Sequence, residues 1–224
     1  MNWIDFVTIS SLTFLLFFVI INKKKQGVKM SKEQKVEAFK NDLFALQTRR
    51  FGEAMEIITK KLLDLEDSDT LEYDKVKNSK RIEIKASRAL APNAEKINED
   101  NFLESIKQAS MVSRVVNSDD DNWQVQIQQV KPHCFDEMIY IVAFNDKLEF
   151  FKMTSQQVEE LEGYSDKQHR GNEGEGQFTL KNSNIDKHRE KYKILEKTYE
   201  EIYDLFDSPT ERLNEGENNE NKRP

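Results

Sequence analysis

Three residues on a short stretch of the chain have side chains suited to metal-assisted chemistry. Asp74, Glu83 and Lys85 flank the turn-prone pair Asn78-Ser79, and the residues on both sides alternate between apolar and polar, as in β-strands. A two-residue turn at this pair places Asp74 directly opposite Glu83. Cross-strand neighbours share one face, with Cβ atoms about 4.5–5.5 Å apart. The spacing therefore predicts two adjacent carboxylates, with Lys85 beyond Glu83 on the same face.

Two carboxylates at that distance repel each other, and both stay ionised only beside a compensating positive charge. Magnesium is suited to this role, because it prefers hard oxygen ligands and is commonly held by one or two carboxylates together with a phosphate and several waters. Lys85 would reach a metal-bound water or a phosphate. We expect the opposite face of the hairpin to be buried through Leu71, Tyr73, Ile82 and Ile84.

The same residues also have a purely structural interpretation. Glu-Ile-Lys occurs in ordinary amphipathic strands, where the acid and the lysine form a solvent-facing ion pair. In the expected register Glu72 lies opposite Lys85 and would be a simple salt-bridge partner. Asp74 remains the better candidate ligand, because it lies directly across from Glu83.

The hairpin resembles the active-site hairpin of the PD-(D/E)XK nuclease superfamily, in which an acid is followed at a distance by an acid, any residue and a lysine. Here Asp74 is followed after eight residues by Glu83-Ile84-Lys85, and Tyr73 stands where the strict motif has a proline. The resemblance is to type II restriction endonucleases and covers about Ser31 to Phe206. The segments that carry it are RFGEAMEII (Arg50–Ile58), RIEIKASRA (Arg81–Ala89), QVQIQQVKP (Gln124–Pro132), FDEMIYIVAF (Phe135–Phe144) and SDKQHRGNEGEGQF (Ser165–Phe178).

This resemblance implies a Mg²⁺-dependent enzyme with Asp74, Glu83 and Lys85 as catalytic residues. Asp74, Glu83 and the main-chain carbonyl of Ile84 would hold the metal, and Lys85 would orient or help deprotonate the attacking water. The products would carry 5′-phosphate and 3′-hydroxyl ends. In the superfamily an acid on the preceding helix sometimes assists, and Glu56 is a candidate for this role, as is its neighbour Glu53. An exposed helical carboxylate without a function is the alternative interpretation of either acid.

Several polar residues are candidates for contacting DNA. Glutamine pairs with adenine edges, and a glycine-bearing loop permits close approach of the backbone. The stretch Lys75–Arg88 carries six basic residues against one acid, a net charge of +5 that would face phosphates. A solvated strand face and a flexible loop are the alternatives. The candidates are Arg88, Gln126, Gln128, Gln168, Arg170, Asn172 and Gln177.

Composition limits the class of protein. The net charge of −7 argues against a protein that coats nucleic acid non-specifically, since that affinity comes from many Lys and Arg residues. The single cysteine, Cys134, excludes an intramolecular disulfide and a cysteine-rich zinc site, and favours a reducing, cytoplasmic setting. Cys134 beside His133 is a weak candidate thiol nucleophile, because adjacent side chains of an extended segment point to opposite faces.

The order of periodic segments predicts an α/β fold, a mixed β-sheet of about five strands flanked by helices, as in restriction endonucleases. Asp136–Phe144 suits a central strand that is covered on both faces. The expected helices are Phe39–Leu65, Asn101–Ser110 with Asn101 as N-cap, Thr154–Glu162 and Asp186–Phe206. The expected strands are Leu71–Lys77, Lys80–Ser87, Trp123–Val130, Asp136–Phe144 and Leu148–Met153, with loops at Asn117–Asn122 and Gly163–Asn184.

The chain divides into residues 1–29, a nuclease-like domain at 30–206 and an acidic tail at 207–224 that we expect to be disordered. Residues 6–21 are apolar and are followed by three lysines, which is typical of a short membrane anchor. The alternative is a mis-assigned start, since Gln26–Lys29 can be encoded with a ribosome-binding sequence ahead of Met30. Membrane attachment follows only if residues 1–29 are translated.

The sequence thus predicts a type II restriction endonuclease that cuts double-stranded DNA at a short specific site. By resemblance we expect a homodimer and a companion DNA methyltransferase acting on the same site. The alternatives are a DNA repair or recombination nuclease of the same fold, and a membrane-tethered interaction protein without enzymatic activity.

Overall fold

The computed structural model describes residues 30–92, 96–167 and 173–207. Contacts divide the chain into residues 1–35 and residues 36–224. The described residues of the first unit begin a helix. At its start, Ser31 Oγ accepts a hydrogen bond from the Gln34 N–H at 3.3 Å, and Gln34 Oε1 accepts one from the Ser31 N–H at 2.9 Å. The predictions for residues 1–29 and for the tail after Asp207 lie outside the described residues. Within the described ranges no helix has the length and apolar character needed to cross a membrane.

Nine strands form two sheets in the described part of the chain. They are β1 Glu66–Asp67, β2 Lys75–Lys77, β3 Lys80–Arg88, β4 Gln124–Val130, β5 Glu137–Ala143, β6 Leu148–Thr154, β7 Ser165–Lys167, β8 Glu173–Lys181 and β9 Lys193–Lys197. The larger sheet has the order β1-β2-β3-β5-β6-β9, and the smaller has the order β4-β8-β7. In the larger sheet β3 and β5 are parallel and the other neighbours antiparallel.

In the described residues, helices precede, separate and follow these strands along the chain. They are α1 Lys32–Ala45, α2 Thr48–Leu63, α3 Phe102–Ala109, α4 Met111–Arg114, α5 Ser155–Glu159, α6 Asn182–Tyr192 and α7 Tyr199–Asp207, with a 3₁₀ helix at Pro132–Cys134. The predicted fold class, a mixed α/β sheet flanked by helices, is confirmed, with six strands in the main sheet and β4 in a second sheet. Helix α5 begins at a capping box formed by Thr154 and Gln157. Asn101 accepts from the Asn98 N–H at 2.8 Å and does not cap α3 as predicted.

Strand β5 is the centre of the molecule, as its unbroken apolar run predicts. Ile139 and Ile141 lie in a core cluster with Phe44, Phe51 and other side chains of the first two helices. On the other face, Met138, Tyr140 and Val142 pack in a second cluster with β4 and β8. Each fully buried aliphatic or aromatic side chain contributes roughly 1.5–3 kcal/mol, so this double coverage fixes β5 and its parallel neighbour β3.

The prediction of one long helix over Phe39–Leu65 is wrong, because the helix is interrupted between α1 and α2. Gln47 is extended, with φ −61° and ψ 155°. The guanidinium of Arg88 donates to the Leu46 carbonyl at 2.6 Å and to the Leu43 carbonyl at 3.4 Å, and so binds the C-terminal end of α1. This contact satisfies carbonyls that a helix end leaves without a partner.

Two predictions for the C-terminal third are also wrong. The segment predicted as the loop Gly163–Asn184 contains β7 and β8, because Phe178 and Leu180 alternate with polar residues and pack into the second core cluster. The segment predicted as one helix over Asp186–Phe206 is interrupted by β9, which pairs with the open edge of β6. His133 and Cys134 lie in the 3₁₀ helix and not in an extended segment, so the alternation argument does not apply to them.

Candidate active site

The hairpin of β2 and β3 forms in the register that its sequence predicts. Asn78 and Ser79 have φ values of 51° and 64°, the left-handed pair that a tight two-residue turn requires. Lys77 then pairs with Lys80, and Lys75 pairs with Ile82. The turn therefore determines which side chains of β3 face the core and which face outward.

Asp74 leaves the regular ladder and is bound to the backbone of β3. Its N–H donates to the Ile82 carbonyl at 3.1 Å. Its carboxylate Oδ2 accepts from the N–H of Ile84 at 2.7 Å, which leaves Oδ1 for a ligand. The acid is thus fixed next to the backbone segment that carries Glu83 and Lys85.

The side chains of β3 divide between a buried face and an outward face, as predicted. The side chains of the segment before β2 do not follow the predicted division. Ile82 and Ile84 are 3% and 5% exposed, and both belong to the core cluster under the first two helices. Leu71 is fully exposed and Tyr73 only half-buried, so the prediction that they are buried beside Ile82 and Ile84 is wrong. The reason is that regular pairing with β3 begins only at Lys75.

Glu83 and Lys85 lie side by side on the other face of β3. Their carboxylate and ammonium groups are 2.5 Å apart, and the side chains are only 12% and 22% exposed. Glu72, the alternative partner of Lys85, is exposed, and its N–H donates to Thr70 Oγ1. The ion pair within β3 is therefore largely shielded from solvent, unlike the solvent-facing pair of an ordinary amphipathic strand.

Three carboxylates contribute to the electrostatics of this site. Burial raises the pKa of Glu83 to about 7, with Asp74 and Glu56 adding to the rise and Lys85 opposing it. Burial, and next the Asp74 charge, also raise the pKa of Glu56, which lies on α2, 3.7 Å from Lys75. Glu53, the other helical candidate, instead pairs with Arg49 and Arg50 at the surface. The tertiary structure thus brings Glu56, and not Glu53, to the hairpin.

These donors fit a magnesium ion held by few protein ligands. In residues 30–92, 96–167 and 173–207, no group of three or more His, Cys, Asp or Glu side chains is arranged to hold a metal. Magnesium does not require such a group, since it usually retains several waters and takes one or two carboxylates. Asp74 and Glu83 would supply these carboxylates, and the main chain of Ile84 lies between Glu83 and Lys85 in the chain. The mutual repulsion of the acids is the property that a divalent cation would relieve.

A cleft of about 690 Å³ opens beside the hairpin. Glu56 and Lys85 line it from one side, and the outward glutamines of β4 line it from the other. β4 contains a bulge between Ile127 and Val130, where Gln129 has φ 57°. Because of the bulge, the consecutive residues Gln128 and Gln129 both line the cleft, although regular alternation would turn one of them inward.

Three of the predicted DNA-contacting glutamines lie together on one face of the smaller sheet. Gln128 Nε2 donates to Gln126 Oε1 at 3.2 Å and to Gln177 Oε1 at 3.3 Å. Gln126 and Gln128 line the cleft, and Gln177 joins them from β8. The other candidates of the same loop, Gln168, Arg170 and Asn172, lie outside the described residues.

Arg88, which is a predicted DNA contact and lines the cleft, has a structural role in the fold. Its side chain is only 4% exposed and stacks on the Phe51 ring, with the guanidinium carbon 3.8 Å from the ring centroid. Its NH2 group is used by the carbonyls at the end of α1. Burial also lowers the pKa of Arg88 to about 10. The side chain of Arg88 thus links β3 to the first two helices.

Three further basic residues, none of them a predicted DNA contact, also lie near the site. Arg49 and Arg114 line the cleft. Lys131, which follows β4, bonds Glu175 at 2.9 Å, and Glu175 raises the pKa of Lys131, with a further contribution from Glu83. Lys131 could have been selected from the sequence, because it lies in the segment QVQIQQVKP, which carries part of the family resemblance.

The chain was compared with protein-family models, with curated proteins and with solved structures, and none of the three comparisons finds a match.

Proposed function

We propose that this chain is a magnesium-dependent endonuclease that hydrolyses phosphodiester bonds of double-stranded DNA, in the manner of a type II restriction enzyme. The proposal depends on one observation: the shielded Glu83–Lys85 pair, 2.5 Å apart, lies near the carboxylates of Asp74 and Glu56 beside an open cleft. A group of acids with one lysine at a cleft suits the hydrolysis of a phosphate ester, where negative charge must be neutralised and water activated.

Each residue has a role in this proposal. Asp74 and Glu83 would hold Mg²⁺ with the Ile84 carbonyl, and the bound ion would offset charge on the phosphate and lower the pKa of a water molecule. Lys85, whose ammonium is paired with Glu83, would donate a hydrogen bond that orients the attacking water, and its positive charge would help that water lose its proton to solvent. Glu56 lies close enough to assist, because its own pKa responds to Asp74 and to Lys85.

The cleft supplies groups that suit a DNA duplex. The glutamine side chains of β4 present paired donors and acceptors, which match adenine edges in the major groove. Arg49, which is 92% exposed, would contact phosphates and position the backbone without reading sequence. Basic residues placed at the cleft would allow the protein to bind DNA although its overall charge is −7.

The experiment is digestion of unmethylated phage DNA by the purified protein, with Mg²⁺ and with EDTA. We expect discrete fragments that depend on Mg²⁺. Lys85→Ala should slow cleavage by about 10²–10⁴-fold, the usual contribution of a positioned acid or base. The matched control is Lys152→Ala, because Lys152 also bonds a glutamate of the main sheet, Glu137, but lies away from the cleft.

Each outcome is decisive for the proposal. No cleavage by the wild type, or full activity in Lys85→Ala, contradicts it and favours an interaction protein without enzymatic activity. A metal-dependent smear in place of discrete bands would retain the catalytic site but assign it to a repair or recombination nuclease. A site-specific enzyme would also require a companion methyltransferase to protect the host DNA, and methylated DNA should then resist cleavage.

A further inference from the structure

Helix α6 (Asn182–Tyr192) lies beside a cavity of about 540 Å³. Asn184, Lys187, His188 and Lys191 line this cavity, because residues three or four positions apart share one face of a helix. Residues 160–163, which follow α5, line it as well. We call this cavity the α6 pocket. None of its described lining residues lines the cleft beside the hairpin, so the α6 pocket is separate from the candidate active site.

His188 presents a ring nitrogen to the α6 pocket although the residue is buried. It is only 4% exposed, and its Nδ1 lies 2.7 Å from the Tyr140 hydroxyl oxygen. The other ring nitrogen, Nε2, forms no hydrogen bond with the part of the chain that the structure describes, and it is not an enclosed atom there. The exposed part of His188 therefore includes Nε2, which opens to the α6 pocket.

The bond between Tyr140 and His188 determines whether Nε2 donates or accepts. Tyr140 is fully buried, and this burial raises the pKa of its hydroxyl, which stays protonated. The hydroxyl donates to Nδ1, its one hydrogen-bond partner among the described residues. Burial lowers the pKa of His188 to about 4, so near neutral pH the ring is uncharged and carries its own proton on Nε2. His188 is thus an N–H donor to the α6 pocket.

Two lysines and a serine add further donors. Lys181, Ser183 and Lys191 all line the α6 pocket. Within residues 30–92, 96–167 and 173–207, Lys181 and Lys191 form no ion pair, and the Ser183 hydroxyl forms no hydrogen bond. An anion in the pocket would therefore meet two unpaired ammonium groups, a hydroxyl and the N–H of His188. Hydrogen bonds from charged donors of this kind are about twice as strong as those between neutral groups.

The glutamates of the α6 pocket are bonded to other residues. Glu162 pairs with Lys187 at 3.4 Å, and these side chains are 91% and 69% exposed. Glu160 is also exposed, and it accepts from the Gln156 side chain at 2.7 Å. Both acids thus have partners at the surface. The positive charge of the two unpaired lysines remains available to a ligand.

We propose that the α6 pocket binds a small phosphate ester, a binding function beyond the activity proposed above. The phosphate oxygens would accept from His188, Ser183 and the two unpaired lysines. Phosphate suits these donors better than carboxylate, because its terminal oxygens accept more hydrogen bonds than two carboxylate oxygens do, and lysine is a common phosphate ligand. Leu161 and Tyr192 line the same pocket and would pack against the organic group of the ester.

Calorimetric titration of phenyl phosphate into the full-length protein tests this site, in EDTA so that no metal contributes. We expect saturable binding with a Kd below about 1 mM. Phenol and benzoate should bind at least about 10-fold more weakly, since phenol has no charge and benzoate has fewer acceptor oxygens.

Variants of the lysines test whether the ligand lies in the α6 pocket. The double variant Lys181→Gln, Lys191→Gln should weaken the binding of phenyl phosphate by at least about 10-fold, because it removes two charged donors. Lys107→Gln is the matched control, since Lys107 is an exposed lysine of α3 outside the pocket, and it should bind phenyl phosphate normally.

His188→Asn tests the buried donor. Asparagine keeps an acceptor near the Tyr140 hydroxyl but has no counterpart of Nε2, so affinity should fall by at least about 10-fold in a variant that circular dichroism shows to be folded. In the wild type, bound phosphate should raise the pKa of His188 above about 4, because an anion stabilises the charged ring. Nitrogen-15 NMR measures this change, and the chain has only three histidines to assign.

Competition identifies the source of the phosphate. A short duplex with 5′-phosphates that displaces phenyl phosphate, when the same duplex with 5′-hydroxyl ends does not, would identify a DNA end as the ligand. No displacement by either duplex would identify a free small molecule. Both results retain the phosphate site, whereas displacement by both duplexes contradicts it.

Other results also overturn the inference. A Kd for phenyl phosphate above about 1 mM, full affinity in the double lysine variant, or an unchanged pKa of His188 with saturating ligand contradicts it. The proposed function fails separately, since it requires Mg²⁺ and DNA cleavage. Binding of phenyl phosphate without cleavage of DNA refutes the nuclease alone, and an active nuclease that does not bind phenyl phosphate refutes the α6 pocket alone.

Discussion

The carboxylate of Asp74 accepts a hydrogen bond from the main-chain N–H of Ile84, with 2.7 Å between Oδ2 and N. Ile84 lies between Glu83 and Lys85, so the first acid is bound to the backbone segment that carries the other two groups. The position of Asp74 relative to them is thereby fixed by main-chain geometry and not by side-chain rotamers alone. A site arranged in this way before a ligand arrives loses less free energy on binding.

Asp74→Asn should separate the structural role of this residue from its proposed metal-binding role. Asparagine keeps an oxygen that accepts from Ile84 but removes the charge. We expect Mg²⁺ affinity, measured by calorimetry, to fall by at least about 10-fold while the free energy of unfolding changes by less than about 1 kcal/mol. The pKa of Glu83 should also fall below about 7, because the Asp74 charge contributes to its rise.

The control for this change is Asp136→Asn, since Asp136 also bonds β3 through Arg81 but lies outside the acid group. Mg²⁺ affinity should be unchanged in this variant. Equal loss of affinity in both would mean that Asp74 affects the metal only through the fold.

Glu83→Gln should stabilise the metal-free protein at alkaline pH. The pKa of Glu83 is about 7 in the folded state against an ordinary value of 4.5, so the folded chain binds more protons between these values. Stability therefore declines as the pH rises from about 4.5 to about 7, and the full penalty remains above that range. We expect Glu83→Gln to add about 1–3 kcal/mol to the free energy of unfolding in urea near pH 8, and little near pH 4.5.

Glu201→Gln should have the opposite effect on the free energy of unfolding. Bonds from Lys197 and the Thr198 N–H lower the pKa of Glu201 to about 2, so its ionised form stabilises the fold. This variant should lose stability near pH 8 and approach the wild type in strong acid. A destabilising Glu83→Gln near pH 8 would refute the electrostatic account of the site.

The glutamine cluster should determine DNA affinity. Gln128 bonds both Gln126 and Gln177, so Gln128→Ala removes the central member of the cluster. We expect affinity for the cleaved sequence, measured in Ca²⁺ to prevent hydrolysis, to fall by about 1–3 kcal/mol, with a smaller change for unrelated duplexes. Gln156→Ala on α5, an exposed glutamine away from the cleft, should bind normally. If the wild type, Gln128→Ala and Gln156→Ala bind this DNA equally well, then the glutamine cluster is a solvated strand face and does not contact DNA.

Arg88→Met should destabilise the fold without a specific effect on DNA affinity. The change removes two hydrogen bonds to the end of α1 and the stacking on Phe51. We expect a loss of about 2–4 kcal/mol in urea unfolding. Arg49→Met is the contrasting variant, since Arg49 is exposed and lines the cleft: it should weaken DNA binding with little change in stability. If folded Arg88→Met binds DNA as weakly as Arg49→Met, then the structural assignment is wrong.

The sequence by itself determined the elements whose geometry is local. A two-residue turn fixes the register of the residues next to it, so Asn78-Ser79 was sufficient to pair β2 with β3. The same pattern placed Glu83 and Lys85 on one face, because side chains of a strand alternate. The buried run of β5 and the alternation of β4 were readable for the same reason. Each of these predictions depends on neighbours in the chain.

Only the tertiary structure decided which distant groups meet. The choice between Glu56 and Glu53 depends on how α2 packs against β3, and the bond from Gln128 to Gln177 joins residues of two strands far apart in sequence. The burial of Arg88 and the interruption of the last helix by β9 follow from a helix end and a sheet edge that required partners. Periodicity records which side of an element is apolar, but the partner that covers that side is set by packing across the whole chain.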